Sequence, residues 1–126
     1  MTRILLIDDD TPFRTMLCIA LKQMGYDVTE AVDGEQGFDL YKAGGRFDVV
    51  VTDLLMPRKE GIETIMALRK LDPAVKVIAM SGGGRVTSVN YLAIARQVGA
   101  KKMLEKPFLS EDIRSAINEV LTPSSP

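Results

Sequence analysis

The chain has 126 residues, 16 Lys and Arg against 17 Asp and Glu, 46% hydrophobic and 26% charged residues, one cysteine and no histidine. This length and balance fit a single folded domain with a real core and argue against the Lys/Arg excess of a nucleic-acid-binding surface. Lone Cys18 rules out an internal disulfide and every CxxC spacing, and the missing histidine removes imidazole acid–base catalysis, most zinc sites and Ser/Cys–His triads.

Met1-Thr2-Arg3 runs straight into Ile4-Leu5-Leu6-Ile7, an unbroken apolar run of the kind buried on both faces in a central parallel strand. That start lacks the basic region, long apolar core and small-residue cleavage site of a secretory signal. Nor does any apolar stretch reach the roughly 20 residues of a membrane span, so a cytoplasmic location is expected. Thr11-Pro12 offers an N-cap and a first-turn proline, Phe13, Met16, Leu17, Ala20, Leu21 and Met24 fall at helical spacing, and Gly25 is placed to stop the helix. Tyr26 to Ala31 is a shorter, more polar strand suited to a sheet edge. Asp33 with Gln36 resembles a capping box for a helix carrying Phe38, Leu40 and Tyr41, which Gly44-Gly45 ends.

Phe47 to Thr52, with Val49-Val50-Val51, is a second interior strand and delivers Asp53 at its C-terminal end. Ile62, Ile65, Met66 and Leu68 mark a third helix that stops around Leu71-Asp72-Pro73. Val75 to Met80 is a strand ending in Ser81. Gly82-Gly83-Gly84 reads as a flexible loop before a helix with Val89, Leu92, Ala93 and Ala95, closed by Gly99. Lys101 to Glu105 forms a short last strand followed by Lys106-Pro107, and Ser110 caps a final helix with Ile113, Ala116, Ile117, Val120 and Leu121. Strict alternation of strands and helices predicts an α/β doubly wound parallel sheet with right-handed crossovers, whose ligand site lies at the carboxyl ends of the strands.

Asp8, Asp9 and Asp10 follow the first strand, Asp53 ends the third, Ser81 the fourth and Lys106 the fifth. Taken singly, each is an ordinary turn, cap or loop residue. Placed together at four strand ends, they form a crevice of repelling carboxylates that need a cation, with an ammonium beside them. Few hard oxygen donors suit Mg²⁺, which keeps waters and binds phosphates through its remaining positions. The assembly fits Mg²⁺-assisted phosphoryl transfer.

ILLIDDD at residues 4–10, Arg14 five positions after Asp9, VVVTDLLMP at 49–57 with Gly61 beyond it, VIAMSG at 77–82 and LEKPF at 104–108 together resemble a two-component response-regulator receiver domain of the chemotaxis-regulator type. The likeness runs from Arg3 to Leu121. It implies a flavodoxin-like (βα)5 fold, with residues 1–121 as the receiver and 122–126 as a flexible tail or the start of a linker. By the same resemblance Asp53 is the phosphoacceptor, Lys106 binds a phosphoryl oxygen, and Ser81 swings toward the phosphoryl group. Asp8 and Asp9 are the acidic pair for Mg²⁺, Asp9 directly and Asp8 through water, joined by Asp53 and the backbone carbonyl of Leu55. The Lys106–Pro107 bond is expected to be cis.

The resemblance implies a signalling domain rather than an enzyme. Its phosphoryl group would come from a sensor histidine kinase or histidine phosphotransferase, and phosphorylation would change the surface of the last two strands and their flanking helices. The downstream protein or output domain is not readable, nucleic acid and membrane are not expected partners, and the domain is a monomer or a phosphorylation-dependent dimer.

The chain departs from the family at several positions. The interval from Ser81 to Lys106 is longer than usual, and the excess falls in Gly82-Gly83-Gly84-Arg85. Met103 stands where the family often has Tyr or Phe, and Leu55 and Gly83 have no side chain able to orient an attacking water, which implies slow loss of the phosphoryl group. Two other readings stay open. One is a phosphorylation-independent degenerate receiver acting as an interaction module; the other is a small aspartyl-phosphate phosphatase of the haloacid-dehalogenase type, because a strand followed by DxD also describes Asp8 and Asp10.

Overall fold

Two apolar runs, Ile4–Ile7 and Val49–Val51, are wholly buried, as strands covered on both faces require. In the computed structural model, which describes residues 1–44, 47–54, 60–82, 93, 96–97 and 99–122, they are the central strands β1 (Arg3–Ile7) and β3 (Val49–Asp53). With β2 (Asp27–Ala31), β4 (Val77–Gly82) and β5 (Lys102–Lys106) they build one parallel sheet in the order β2-β1-β3-β4-β5. The polar β2 lies at an edge, as its composition suggested.

Four helices are seen among the described residues: α1 (Thr11–Gln23), α2 (Gly34–Ala43), α3 (Glu60–Leu71) and α4 (Ser110–Leu121). Side chains that alternate along each strand divide the core into two layers. Ile4, Leu6, Val49, Val51, Ile78 and Met80 pack with Leu17, Leu21, Ile113 and Ile117 of α1 and α4. Leu5, Ile7, Val50, Val77 and Ala79 face the opposite way, toward Ile65 and Leu68 of α3 and Phe38, Leu40 and Tyr41 of α2. Of the helix expected around Val89, Leu92, Ala93 and Ala95, only Ala93 is described; it is helical, as are Arg96 and Gln97. Gly45 and residues 123–126 also lie outside the described residues.

Several expectations need adjustment. Asp10, not Thr11, caps α1: its Oδ1 accepts the Phe13 N–H at 3.1 Å, and its carbonyl accepts Arg14 N–H at 2.8 Å. Ser110 is the first helical residue of α4, and the turn before it is closed by the Leu109 N–H donating to Asp112 Oδ2 at 2.9 Å. At α2, Asp33 caps as expected, but Gln36 Oε1 accepts from Val32 N–H rather than from the cap residue. Met16 and Met66 are 62% and 54% exposed, because each lies one position off an inward stripe, Arg14-Leu17-Cys18-Leu21 and Gly61-Thr64-Ile65-Leu68 respectively.

Candidate functional site

Register carries the strand-end residues to one place. β1 and β3 are neighbours paired through Ile7 and Thr52, so the residues that follow, Asp8 and Asp53, sit side by side at the carboxyl edge. This is where the chain leaves adjacent strands in opposite directions, the position that forms a crevice in doubly wound sheets. β4 adds Ser81 and β5 adds Lys106, whose bond to Pro107 is cis.

Asp8 is completely buried and bonded on every side. Its N–H donates to Ala31 O at 3.1 Å, and its carbonyl accepts Arg14 Nη1 at 2.7 Å. Oδ1 accepts the Asp10 N–H at 2.9 Å, and Oδ2 accepts Lys106 Nζ at 2.8 Å. The same ammonium donates to Asp53 Oδ2 at 3.0 Å, so one lysine bridges two strands' carboxylates. Asp9 is exposed at the mouth. An oxygen from each of Asp8, Asp9 and Asp53 lies within 4.8 Å of the others, a spacing at which one cation could touch all three.

Burial sets the electrostatics. It pushes the Asp8 carboxyl above its ordinary range, against the pull of the Lys106 hydrogen bond. Burial also works against the charge on Lys106, but the Asp8 and Asp53 carboxylates outweigh it and hold the ammonium above the usual lysine range. Ser81 is fully buried, and its Oγ has no hydrogen-bond partner among the described residues, an arrangement that suits a hydroxyl awaiting an oxygen ligand. Gly61 is needed where α3 starts close to the site. A Cβ there would strike the Asp53 carbonyl oxygen and the Leu54 Cα, both backbone.

The sequence candidates therefore divide clearly. Asp8, Asp9, Asp53 and Lys106 converge, with Ser81 on the strand between Asp53 and Lys106. Asp10 turns away to cap α1, so a strand-then-DxD pair is not assembled from Asp8 and Asp10. Leu55, Gly83, Gly84 and Arg85 lie outside the described residues. Met103 packs into the core layer facing α2 and α3.

Two contributions were not legible as site residues. Phe13, counted only as a helix core position, has Lys106 Nζ 4.1 Å from its ring centroid. Arg14, noted only for its spacing, joins the Asp8 carbonyl to Glu30 of β2 at 3.1 Å. The only hint in the sequence is that both fall in the first turn of a helix starting at the acidic run.

A family model for the response regulator receiver domain matches residues 4–118. The chain is 34% identical over 119 residues to the chemotaxis protein CheY of Thermotoga maritima, covering 94% of this chain and 96% of that protein. It is 32% identical over 121 residues to the transcriptional regulatory protein CpxR of Escherichia coli, covering 96% of this chain but 50% of CpxR. The chain thus spans about half the length of the first relatives that it matches. A crystal structure of a response regulator receiver domain protein from Clostridium thermocellum matches with a TM-score of 0.87 at 28% identity, over 96% of this chain and 94% of that one.

Proposed function

The chain belongs to the response regulator receiver domain family of two-component signalling, and on that premise we propose that Asp53 accepts a phosphoryl group from a partner's phosphohistidine in a Mg²⁺-dependent reaction. The observation that carries this reading is the single Lys106 ammonium held at 2.8 and 3.0 Å from Asp8 and Asp53 at the carboxyl edge of the sheet. Residues 1–121 are the receiver and 122–126 a tail or linker start.

Three carboxylate oxygens within 4.8 Å are hard donors of the kind Mg²⁺ takes, and they leave room for water and phosphate oxygens. Asp8, Asp9 and Asp53 would hold the ion, and the receiver resemblance adds the backbone carbonyl of Leu55, a residue outside the described ones. When bound, Mg²⁺ compensates the charge that gathers on the phosphoryl oxygens. An Asp53 carboxylate oxygen forms the new O–P bond as the N–P bond of the donor breaks, and the imidazole keeps the electron pair. Lys106 meets a phosphoryl oxygen as a point charge. The unpaired Ser81 hydroxyl then donates to another oxygen, so its position differs between the charged and empty states. That difference alters the surface of β4, β5 and their flanking helices, which a downstream protein or output domain reads.

The domain acts in signalling, promoting its own phosphorylation and the slow loss of the phosphoryl group. A sensor histidine kinase or histidine phosphotransferase in the cytoplasm is the donor, and the 126 residues of this chain supply no histidine.

The test is phosphoryl uptake from labelled phosphoramidate, and from phosphorylated histidine kinases, with and without Mg²⁺. Uptake that needs Mg²⁺ and disappears in Asp53→Asn is expected. Labelling of Asp53→Asn at the wild-type rate, or no Mg²⁺-dependent binding of beryllofluoride by the wild type, would overturn the assignment.

A further inference from the structure

The Lys106 ammonium has three N–H donors. Two are taken by Asp8 Oδ2 and Asp53 Oδ2, and the lysine side chain is only 15% exposed. What lies against the ammonium from the α1 side is the ring of Phe13, its centroid 4.1 Å away, well within the range where the negative face of an aromatic ring attracts a cation. The ring is itself fixed. Phe13 N–H is tied to the Asp10 cap at 3.1 Å, and Phe108, two residues beyond Lys106, meets it edge-to-face at 5.8 Å between centroids and 84° between planes. The acidic run and the helix after it thus supply one of the two carboxylates that bind the lysine, Asp8, and the ring that backs it.

We propose that Phe13 is a positioning residue for Lys106, a π-face that holds the ammonium in the carboxylate crevice while leaving it free to change oxygen partners. The inference rests on the receiver reading of the site. Its physical basis is the difference in directionality between the two kinds of contact. A third carboxylate or carbonyl oxygen would pin the ammonium to one spot, and moving it would break a directional hydrogen bond. A ring face attracts the charge over its whole area, so Nζ can shift from the Asp53 carboxylate toward a phosphoryl oxygen with its third side still covered. Because the pair is largely shielded from water, the attraction is stronger than on an open surface.

A packing role for Phe13 predicts different results from an electrostatic one, and fluorination separates them. Replacing Phe13 by 4-fluoro-, 3,5-difluoro- and 3,4,5-trifluorophenylalanine preserves shape and hydrophobicity while draining the ring face of its negative charge. Two readouts are taken on the whole chain: the rate of Mg²⁺-dependent uptake from phosphoramidate, and the proton shifts of the Lys106 ε-methylene, which lies beside the ring. We expect uptake to fall stepwise with each added fluorine, by about fivefold at the trifluoro ring, with the melting temperature unchanged. We also expect an upfield ε-methylene shift in the wild type that Phe13→Leu abolishes.

Equal uptake rates across the fluorinated series, or wild-type uptake in Phe13→Leu, overturns the proposal. An ε-methylene at its ordinary shift in the wild type overturns it as well. If the wild type takes up no phosphoryl group with Mg²⁺ present, the receiver reading fails instead; an upfield shift lost in Phe13→Leu would still support the placement of Lys106 by the ring.

Discussion

Lys106 sits where removal should be felt twice, once in stability and once in reaction. Its charge compensates Asp8, which is wholly buried, and Asp53, which is nearly so. Lys106→Met keeps the length of the side chain and deletes the charge. Taking the shared cation away from two buried carboxylates is expected to cost about 3 kcal/mol in metal-free protein at neutral pH. The pH dependence follows from Asp8, whose carboxyl burial already pushes upward while Lys106 pulls it back. Without the lysine the folded-state pKa of Asp8 rises further above its unfolded value. A group raised in this way binds its proton more tightly when folded, so the folded state is favoured at low pH and loses that advantage as pH rises. The penalty of Lys106→Met should therefore be small near pH 4 and grow toward pH 8; urea midpoints in EDTA at the two pH values check it, and an equal penalty at both would contradict the ion-pair account. Asp8, Asp53 and Ser81 were legible in the sequence because each ends or follows an apolar strand, where a polar residue stands out, whereas Lys106 closes the polar strand KMLEK and was marked by the LEKPF resemblance. Phe13 was not legible, and Arg14 was marked only by its spacing, because an aromatic or a cation on a helix has no distinguishing pattern until the fold brings it to the site.

Between elements, the seam of α2 and α3 depends on a polar contact at its far end. Tyr41 of α2 donates to Asp72 Oδ2, just past α3, at 2.6 Å, and its ring stacks on Phe47 at 6.0 Å between centroids. Burial first, then the hydrogen bond and charge of Asp72, raise the Tyr41 hydroxyl well above its ordinary pKa of 10.0. Tyr41→Phe should cost about 1 kcal/mol at pH 8 through loss of a hydrogen bond to a charged acceptor. Because the folded pKa is the higher one, this contribution is complete below pH 10 and declines as pH rises from there. Wild type and Tyr41→Phe should converge in urea unfolding between pH 8 and pH 11; Lys106 titrates alike in both and cancels from the difference. At the site end of α3, Gly61→Ala would press a methyl group against the Asp53 carbonyl and Leu54 Cα, neither of which can swing aside. A loss of about 1–3 kcal/mol is expected, together with slower phosphoryl uptake, since the same backbone carries Asp53; melting curves and labelling rates read the two effects. Strand and helix identities were visible in the periodicity, whereas caps were read one residue late at Thr11 and Ser110. Whether Asp10 or its neighbour takes the N-cap depends on which residue turns out of the helix, and composition alone does not fix that backbone geometry.

At the scale of the whole molecule, the strand order explains why a long cationic side chain is needed. Asp8 and Asp53 end adjacent strands, but Lys106 ends a strand two places from β3. At about 4.8 Å per strand, roughly 10 Å of sheet edge separates β5 from β3, a gap that the lysine side chain, its hydrogen bond to Asp53 Oδ2 and the Asp53 side chain span together. β4, which lies between them, carries the small, fully buried Ser81 next to its last residue, Gly82, and Gly82 pairs with Lys106. The sheet thus gathers three carboxylates and one ammonium in a single crevice, a local excess of negative charge in a chain whose net charge is only −1. Such an excess should be relieved by a divalent cation, and any ligand that binds the folded state alone stabilises it by RT ln(1 + [L]/Kd), about 2.7 kcal/mol at a hundred times Kd. Mg²⁺ is therefore expected to raise the urea midpoint well beyond what KCl of equal ionic strength achieves, since general screening acts on all surface charges alike. Asp9→Asn should reduce this gain with little effect on the metal-free protein, because Asp9 is exposed and contributes chiefly through the ion. Asp53→Asn should reduce it as well. An equal response to Mg²⁺ and to matched KCl, or a gain undiminished in both variants, would show that the crevice balances its charge without a metal and would remove Mg²⁺ from the proposed reaction.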